Sequence, residues 1–315
     1  MEKQRIAVID LGTNTFHLLI VSVDTRQRFH MLHRERKAVM IGRGGITKGV
    51  ISEEAQLRAL STITHFKEVI DQYEVDHVVA TATSAFRNAK NGQAITEKVL
   101  EHTGISIDII SGDTEAEYIF YGVKEAMPLS EENALIMDIG GGSVEFIICN
   151  AEEVLWKQSF EIGAQRLLDL FDIKDSVSKE NVHDLLQYFN EQLQDLTDAI
   201  KKYKPESLIG ASGTFDTLSD IYVIDQNIAV APDASELPLS YDFYLKTHQE
   251  LCEKNHNERM KIPGMIALRA DMIVVASWLI YFVLDKYYIR QIRVSAYALK
   301  EGLLRCVTNQ LIANQ

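Results

Sequence analysis

At 315 residues, 46% apolar and 24% charged, the chain is long for a single hydrophobic core and ordinary enough in composition to exclude disorder, so two folded domains are expected. A net charge of -13 excludes a general affinity for nucleic acid, which rests on many Lys and Arg contacts to phosphate. Cys149, Cys252 and Cys306 lack any paired spacing, and no basic segment with an apolar stretch opens the chain, so a reducing, cytoplasmic setting is expected.

Residues 6–23 read as two apolar, β-branched strands around the turn DLGTN at 10–14, with a third strand near 29–37. Residues 52–73 have helical spacing, with Ala55, Leu57, Leu60, Ile63, Phe66, Val69 and Ile70 on one face. A buried strand at 77–81 follows, then helices at 84–90 and 93–102, the second ended by Gly104, and a strand at 106–110. After Pro128 the order starts again. Residues 134–149 give strand, glycine turn and strand, 154–160 a third strand, 178–202 long helical patterns, and 207–210 a strand running into GASGT at 210–214. The apolar run 272–284 is too short to cross a bilayer and follows Arg269 and Asp271, so it is expected as a buried helix. The domains are expected at 1–124 and 125–315, with the last helix, 297–315, a candidate to pack back on the first.

The two halves can be set in register. Asp10 placed on Asp138 brings Gly12 onto Gly140, Thr15 onto Ser143, Phe16 onto Val144, and Leu18, Leu19 and Ile20 onto Phe146, Ile147 and Ile148. Short apolar hairpins resemble one another by chance, but the shared Asp-x-Gly and the similar elements downstream favour a duplication.

Gly140, Gly141 and Gly142 let the backbone approach a ligand and aim its N–H groups inward, because glycine tolerates positive φ and has no side chain. Thr13, Asn14 and Ser143 would add side-chain donors, and Asp10 and Asp138 stand where carboxylates could hold magnesium through water. Either turn alone is also an ordinary tight turn. Two in register, with a third small-residue loop at 210–214, favour phosphate binding.

Two further residues stay open on this reading. Thr114 and Glu117 fit a capping box, whereas Glu115 shares a helix face with Ile119 and Val123 and is either a helix-end carboxylate or a general base. Arg87, one turn inside a helix that follows a strand, is either an anion ligand or a surface arginine. The basic cluster at His33, Arg34, Arg36 and Lys37, continued by Arg43 and Lys48, is a solvated strand edge or a strip for a polyanion. The nine histidines show no metal-ligand spacing.

Taken together, AVIDLGTNTFHLLI at 7–20, ATSAFRNAKNG at 82–92, ISGDTEA at 110–116, MDIGGGSVEF at 137–146, IGAQRL at 162–167, GASGT at 210–214, ERMKIPG at 258–264 and KEGLL at 300–304 resemble the exopolyphosphatase and guanosine pentaphosphate phosphohydrolase family, Ppx/GppA, over nearly the whole chain. The resemblance implies two α/β domains of the ribonuclease H-like, actin-like ATPase type with the active site in a cleft between them. It implies Glu115 as the base that activates water, and Asp138 and Glu145, with Asp10, as residues of a magnesium site in which manganese is the alternative. It assigns Thr13, Asn14, Thr15, Arg87, Gly140, Gly141, Gly142, Ser143, Gly213 and Thr214 to the phosphates. The implied substrate is inorganic polyphosphate, or pppGpp in the stringent response. No organic cofactor, membrane or nucleic acid is implied, and a homodimer is left open. Three departures stand out. Ser212 replaces a frequent glycine, residues 295–299 replace smaller ones with bearing on the interdomain hinge, and the chain stops where longer relatives carry a helical His-Asp domain that serves dimerisation and long-chain binding. A kinase of the same superfamily would need an adenosine pocket and an acceptor-side base that the sequence does not display. A silent polyphosphate or alarmone sensor is disfavoured by Glu115 and the two turn aspartates.

Overall fold

The apolar runs on either side of Gly12 and Gly140 each form a hairpin that seeds a mixed sheet in the computed structural model, which describes residues 4–24, 28–173 and 177–313. Two units result, Met1–Gly122 with Leu299–Gln315, and Val123–Ala298. The division therefore falls at 122/123 rather than 124/125, and the terminal helix belongs with the first unit.

In the first unit the strands are β1 (Gln4–Leu11), β2 (Thr15–Val23), β3 (Phe29–Ala38), β4 (His77–Ala82) and β5 (Ile107–Ile109), in the order β3-β2-β1-β4-β5. Its helices are α1 (Glu53–Gln72), α2 (Ser84–Asn88), α3 (Gly92–Thr103) and α4 (Gly112–Ala126), the last running past the unit's boundary. Ser52 caps α1 by accepting from the Ala55 N–H, and Glu53 and Glu54 complement the helix dipole. Strand alternation then sorts the core. Ala7, Ile9 and Leu11 join Ala59, Ile63 and Phe66 of α1 and Val99 of α3 on one face. Ile6 and Val8 pack on the other against Leu303, Leu304 and Val307 of the terminal helix, Leu299–Ala313, whose predicted residues 314–315 lie outside those described. Parity puts Asp10 on that second face, at the end of the row.

The second unit repeats the plan. Its strands are β6 (Ala134–Ile139), β7 (Val144–Cys149), β8 (Val154–Phe160), β9 (Ser207–Ala211), β10 (Glu236–Leu237) and β11 (Gln291–Ser295), in the order β10-β11-β9-β6-β7-β8. The helices are α5 (Ala164–Leu170), α6 (Lys179–Gln192), α7 (Gln194–Tyr203), α8 (Ser212–Asp225), α9 (Tyr241–Glu253), α10 (His256–Arg259) and α11 (Met272–Lys286), and the terminal helix is α12. The helical pattern at 178–202 breaks at the fully buried Leu193, a bend that keeps Phe189, Leu193 and Leu196 on one core. The apolar α11 is buried along nearly all its length, as its composition predicts, and among the described residues no helix is long and apolar enough to cross a membrane.

The duplication is visible in register. Asp10 opposes His17 across β1–β2 as Asp138 opposes Glu145 across β6–β7. Gly12 N–H donates to the Thr15 carbonyl at 3.1 Å, and Gly140 N–H to the Ser143 carbonyl at 3.0 Å. Even the irregularities agree, since the second and third strands slip between Ile20 and Val21 in one unit and between Ile148 and Cys149 in the other. In the sequence alignment those positions are equivalent.

The basic cluster does not form one strip. Strand β3 alternates, so Glu35 and Lys37 share a face, bonded at 2.7 Å, and His65 of α1 reaches both Glu35 oxygens at 3.1 Å, while Arg34 and Arg36 point to the opposite face. Partial burial opposes the Glu35 charge, but hydrogen bonds from Lys37, His65 and His33 prevail and hold its carboxyl down at about 2. A depressed carboxyl stabilises the folded state above its unfolded value and loses that contribution as pH falls. Wild-type protein should therefore lose its stability advantage over Glu35→Gln between pH 4.5 and about 2, read as urea midpoints across that window; a pH-independent difference would show that the cluster is only packing.

Gly302 lets α12 cross α4 backbone to backbone. A Cβ there would stand 1.7 Å from the Tyr118 carbonyl oxygen, and backbone cannot yield cheaply. Gly302→Ala should cost about 1–3 kcal/mol, measured by urea unfolding, and a loss below that range would mean the helix pair slides apart freely.

Candidate active site

The first unit gathers two groups of the predicted residues. Thr13, Asn14 and Thr15 are buried in the β1–β2 turn. Beside Asp10, Thr81 of β4 stands in register with a buried hydroxyl that has no hydrogen-bond partner. Such a group is costly to leave unsatisfied unless something polar comes to it.

Arg87 and Glu115 form the second group. A short helix after β4 carries Arg87, and its guanidinium NH1 donates to the Glu115 carboxylate at 2.9 Å and to the Ile110 carbonyl at 3.1 Å. Glu115 is 7% exposed, in the first turn of α4 and on the face of the buried Ile119 and Val123. The expected capping box at Thr114 and Glu117 is not what starts this helix. Ser111 caps it instead, with its hydroxyl accepting from the Thr114 N–H at 3.1 Å, because the helix begins at Gly112 and leaves Thr114 and Glu117 inside it. Glu117 bonds Tyr121 one turn on, and burial with that carboxylate and Cys306 nearby pushes the Tyr121 hydroxyl up.

The second unit sets Asp138 and Glu145 directly opposite each other on one face of its sheet, 6% and 1% exposed. Ser159 of β8 donates to Glu145 Oε1 at 2.6 Å. Ser143 is buried next to them, and the turn Gly140–Ser143 closes β6 on β7. None of its glycines uses the positive φ that glycine tolerates. A Cβ on Gly163 would lie 2.5 Å from the Gly141–Gly142 peptide, so the close approach behind the turn depends on the glycine at 163.

The third small-residue segment is a strand end and a helix start rather than a loop. Gly210 and Ala211 finish β9, and α8 begins at Ser212, with Thr214 buried and its hydroxyl lacking a hydrogen-bond partner. Ser212 has φ +67°, and its hydroxyl donates to the Ile139 carbonyl at 3.2 Å, tying the α8 start to the end of β6. Sequence reasoning missed Arg269. Its guanidinium lies so close over Gly213 that a Cβ there would meet NH2 at 2.0 Å, which puts a cation at the positive end of α8. Arg259, 1% exposed, positions that segment by donating to the Ala270 carbonyl at 2.7 Å and the Lys254 carbonyl at 2.6 Å. Arg269 adjoins an apolar helix in sequence, so only the fold ties it to Gly213.

The side chains fit a hard cation in a limited way. Asp138 and Glu145 offer adjacent carboxylates, and among the described residues no group of three or more His, Cys, Asp or Glu converges. Two carboxylates, with water and phosphate oxygens completing the shell, is the usual provision for magnesium.

The sequence profile of the Ppx/GppA phosphatase family matches residues 19–309. The chain belongs to that family. An exopolyphosphatase of Cytophaga hutchinsonii is 46% identical in its crystal structure, with a TM-score of 0.94 over 98% of each chain. The Aquifex aeolicus Ppx/GppA family member, 24% identical with a TM-score of 0.79 over both full chains, shares the fold. A bifunctional 3-dehydroquinate synthase/phosphatase of Fusobacterium nucleatum is 30% identical over 291 residues, where this chain spans 43% of that relative. Membership makes the chain a phosphatase with two ribonuclease H-like units.

Ser212 gives a test of how a Ppx/GppA chain does without glycine at a left-handed position. Ser212→Gly should change stability by less than about 1 kcal/mol, because relief of the left-handed cost offsets the lost hydrogen bond. Ser212→Val keeps the strain, loses the bond and should destabilise by about 2 kcal/mol or more. Equal unfolding midpoints for the two variants would remove backbone strain from the account.

Proposed function

We propose that this phosphatase is an exopolyphosphatase, removing the terminal phosphate of inorganic polyphosphate with water. The substrate is supported by the 46% identity to the Cytophaga hutchinsonii exopolyphosphatase. The chemistry rests on one observation, the buried Glu115 carboxylate held by Arg87 at 2.9 Å at the start of α4.

Glu115 takes a proton from water as the water oxygen attacks the terminal phosphorus. The bond from that phosphorus to the bridging oxygen breaks, orthophosphate leaves, and the shortened chain keeps the electron pair. Arg87 has two ligands available to it. A guanidinium bonded to Glu115 lowers the carboxylate's basicity, and a terminal phosphate that competes for Arg87 restores it. Substrate arrival and activation of the base are then one event. Thr13, Asn14, Thr15, Gly140 to Ser143, Gly213 and Thr214 supply donors to the phosphates, and Arg269 adds charge at the α8 end of the same unit as the glycine turn.

Asp138 and Glu145, with Asp10 as the further candidate, are the residues proposed to hold magnesium, or manganese in its place. The cation would supply charge neutralisation on the phosphates. Ser159 orients Glu145 for that role through its 2.6 Å hydrogen bond.

Orthophosphate release from polyphosphate, with no nucleotide present, is the direct test. Glu115→Gln should lower turnover by about 10²–10⁴-fold while tripolyphosphate binding stays near normal. Near-normal turnover in a folded variant would leave Glu115 as a helix-end carboxylate, and release from pppGpp alone would overturn the choice of substrate.

A further inference from the structure

Both phosphate turns are backed by the segment that follows their third strand, and the backing is built the same way twice. In the second unit that segment is the start of α5. The Gly140 carbonyl accepts from Ala164 N–H at 2.9 Å, and the Gly141 carbonyl from Gln165 and Arg166 N–H at 2.9 and 3.1 Å. The Gly142 carbonyl accepts from Gly163 N–H at 3.1 Å and from Arg166 Nε at 2.9 Å. Glu161 holds the other end of that guanidinium at 2.6 Å. In the first unit the segment is residues 39–42. There the Asn14 carbonyl accepts from Val39 and Met40 N–H at 3.0 and 2.9 Å, and the Thr13 carbonyl from Gly42 N–H at 3.1 Å.

Peptide planarity gives these bonds a consequence on the far side of each turn. In a trans peptide the carbonyl of one residue and the N–H of the next point in opposite directions, and no cis peptide occurs among the described residues. Pulling the carbonyls of Gly140, Gly141 and Gly142 toward α5 therefore turns the N–H groups of Gly141, Gly142 and Ser143 away from it. No hydrogen bond among the described residues uses those three N–H groups. Contact without a side chain is needed for this. A Cβ on Gly163 would lie 2.5 Å from Gly141 C and from Gly142 C and N, and a Cβ on Gly42 would lie 2.5 Å from Thr13 Cγ2.

We infer that Gly163 with Arg166, and Gly42 in the other half, are positioning residues that hold the turn amides in their anion-binding orientation. The inference rests on the phosphohydrolase reading of those turns. The two glycines differ in what they press against. Gly163 meets backbone, which cannot move aside without rotating the peptides. Gly42 meets side chains only, the Thr13 methyl at 2.5 Å, which can be removed, and the end of Ile46 at 3.3 Å, which can give by a few tenths of an ångström.

Five variants test this, with urea stability, tripolyphosphate binding, kcat and KM, and the 15N-resolved amide shifts of residues 141–143 as readouts. Gly163→Ala should move those amide shifts and lower kcat/KM by about 10- to 100-fold. Arg166→Lys, which keeps a charge for Glu161 but loses the Nε donor to Gly142, should lower it about three- to tenfold. Gly42→Ala should weaken tripolyphosphate binding, and adding Thr13→Ser should restore it to within about twofold of Thr13→Ser alone, since that change deletes the obstructing methyl and keeps the hydroxyl. A merely structural role predicts no such rescue. Unmoved amide shifts with wild-type affinity in Gly163→Ala, or no rescue of Gly42→Ala, would overturn the inference. If the shifts and binding behave as expected while the wild-type protein releases no phosphate, the brace stands and the hydrolase reading falls.

Discussion

The hydrogen bond from the N–H of a turn glycine back to the carbonyl three residues on, Gly12 to Thr15 and Gly140 to Ser143, is the constraint on which each half depends. It fixes where the first strand ends and the second begins, so it sets the register that puts Asp10 opposite His17 and Asp138 opposite Glu145. A slip of one residue in the second unit would move Asp138 and Glu145 to the face packed with Leu135, Met137 and Ile139, and one in the first would move Asp10 to the face of Ala7, Ile9 and Leu11. The apolar alternation on either side of the turn makes such a slip expensive, and the site inherits its precision from the core.

A second economy concerns charge. The buried carboxylates proposed for catalysis are not isolated: Glu115 has Arg87, and Glu145 has the Ser159 hydroxyl. An unpaired buried charge would cost several kcal/mol, so partners of this kind are required before function is considered. The partner chosen still matters. A guanidinium keeps Glu115 ionised yet is a group that phosphate also wants, whereas a hydroxyl orients Glu145 without adding charge. Arg259 does comparable work mainly through backbone, donating to two carbonyls and so fixing the segment that carries Arg269, with the Asp271 carboxylate 3.9 Å from its guanidinium.

Sequence reasoning was strongest where a local pattern carried the information. The helix over α1, capped by Ser52, and the buried α11 follow from apolar spacing and capping chemistry. The duplicated hairpin follows from two Asp-x-Gly turns between β-branched runs, and the matched bulges after Ile20 and Ile148 support it independently. It failed where one residue type admits two explanations. Glycines 140 to 142 admit both positive φ and close approach, of which the structure uses no positive φ, and Ser111 rather than Thr114 caps α4. The basic cluster from Arg34 to Lys48 admits a strand edge or a strip, and strand pleating sets Lys37 on one face of β3 and Arg34 and Arg36 on the other.

By itself the sequence determined which segments pair and fold, the doubled plan, the family, and the identity of most acidic and small residues at the turns, because these rest on contacts a few residues apart or on motifs that occur together. Only the tertiary structure decided that Arg87 grips Glu115 across 28 positions, that Arg269 lies on Gly213, and that Gly163 supports the Gly141–Gly142 peptide. Such contacts join segments distant in the chain, and no local periodicity records them. Their distances follow from how helices of fixed length pack on a twisted sheet, and that exists only once the whole unit has folded.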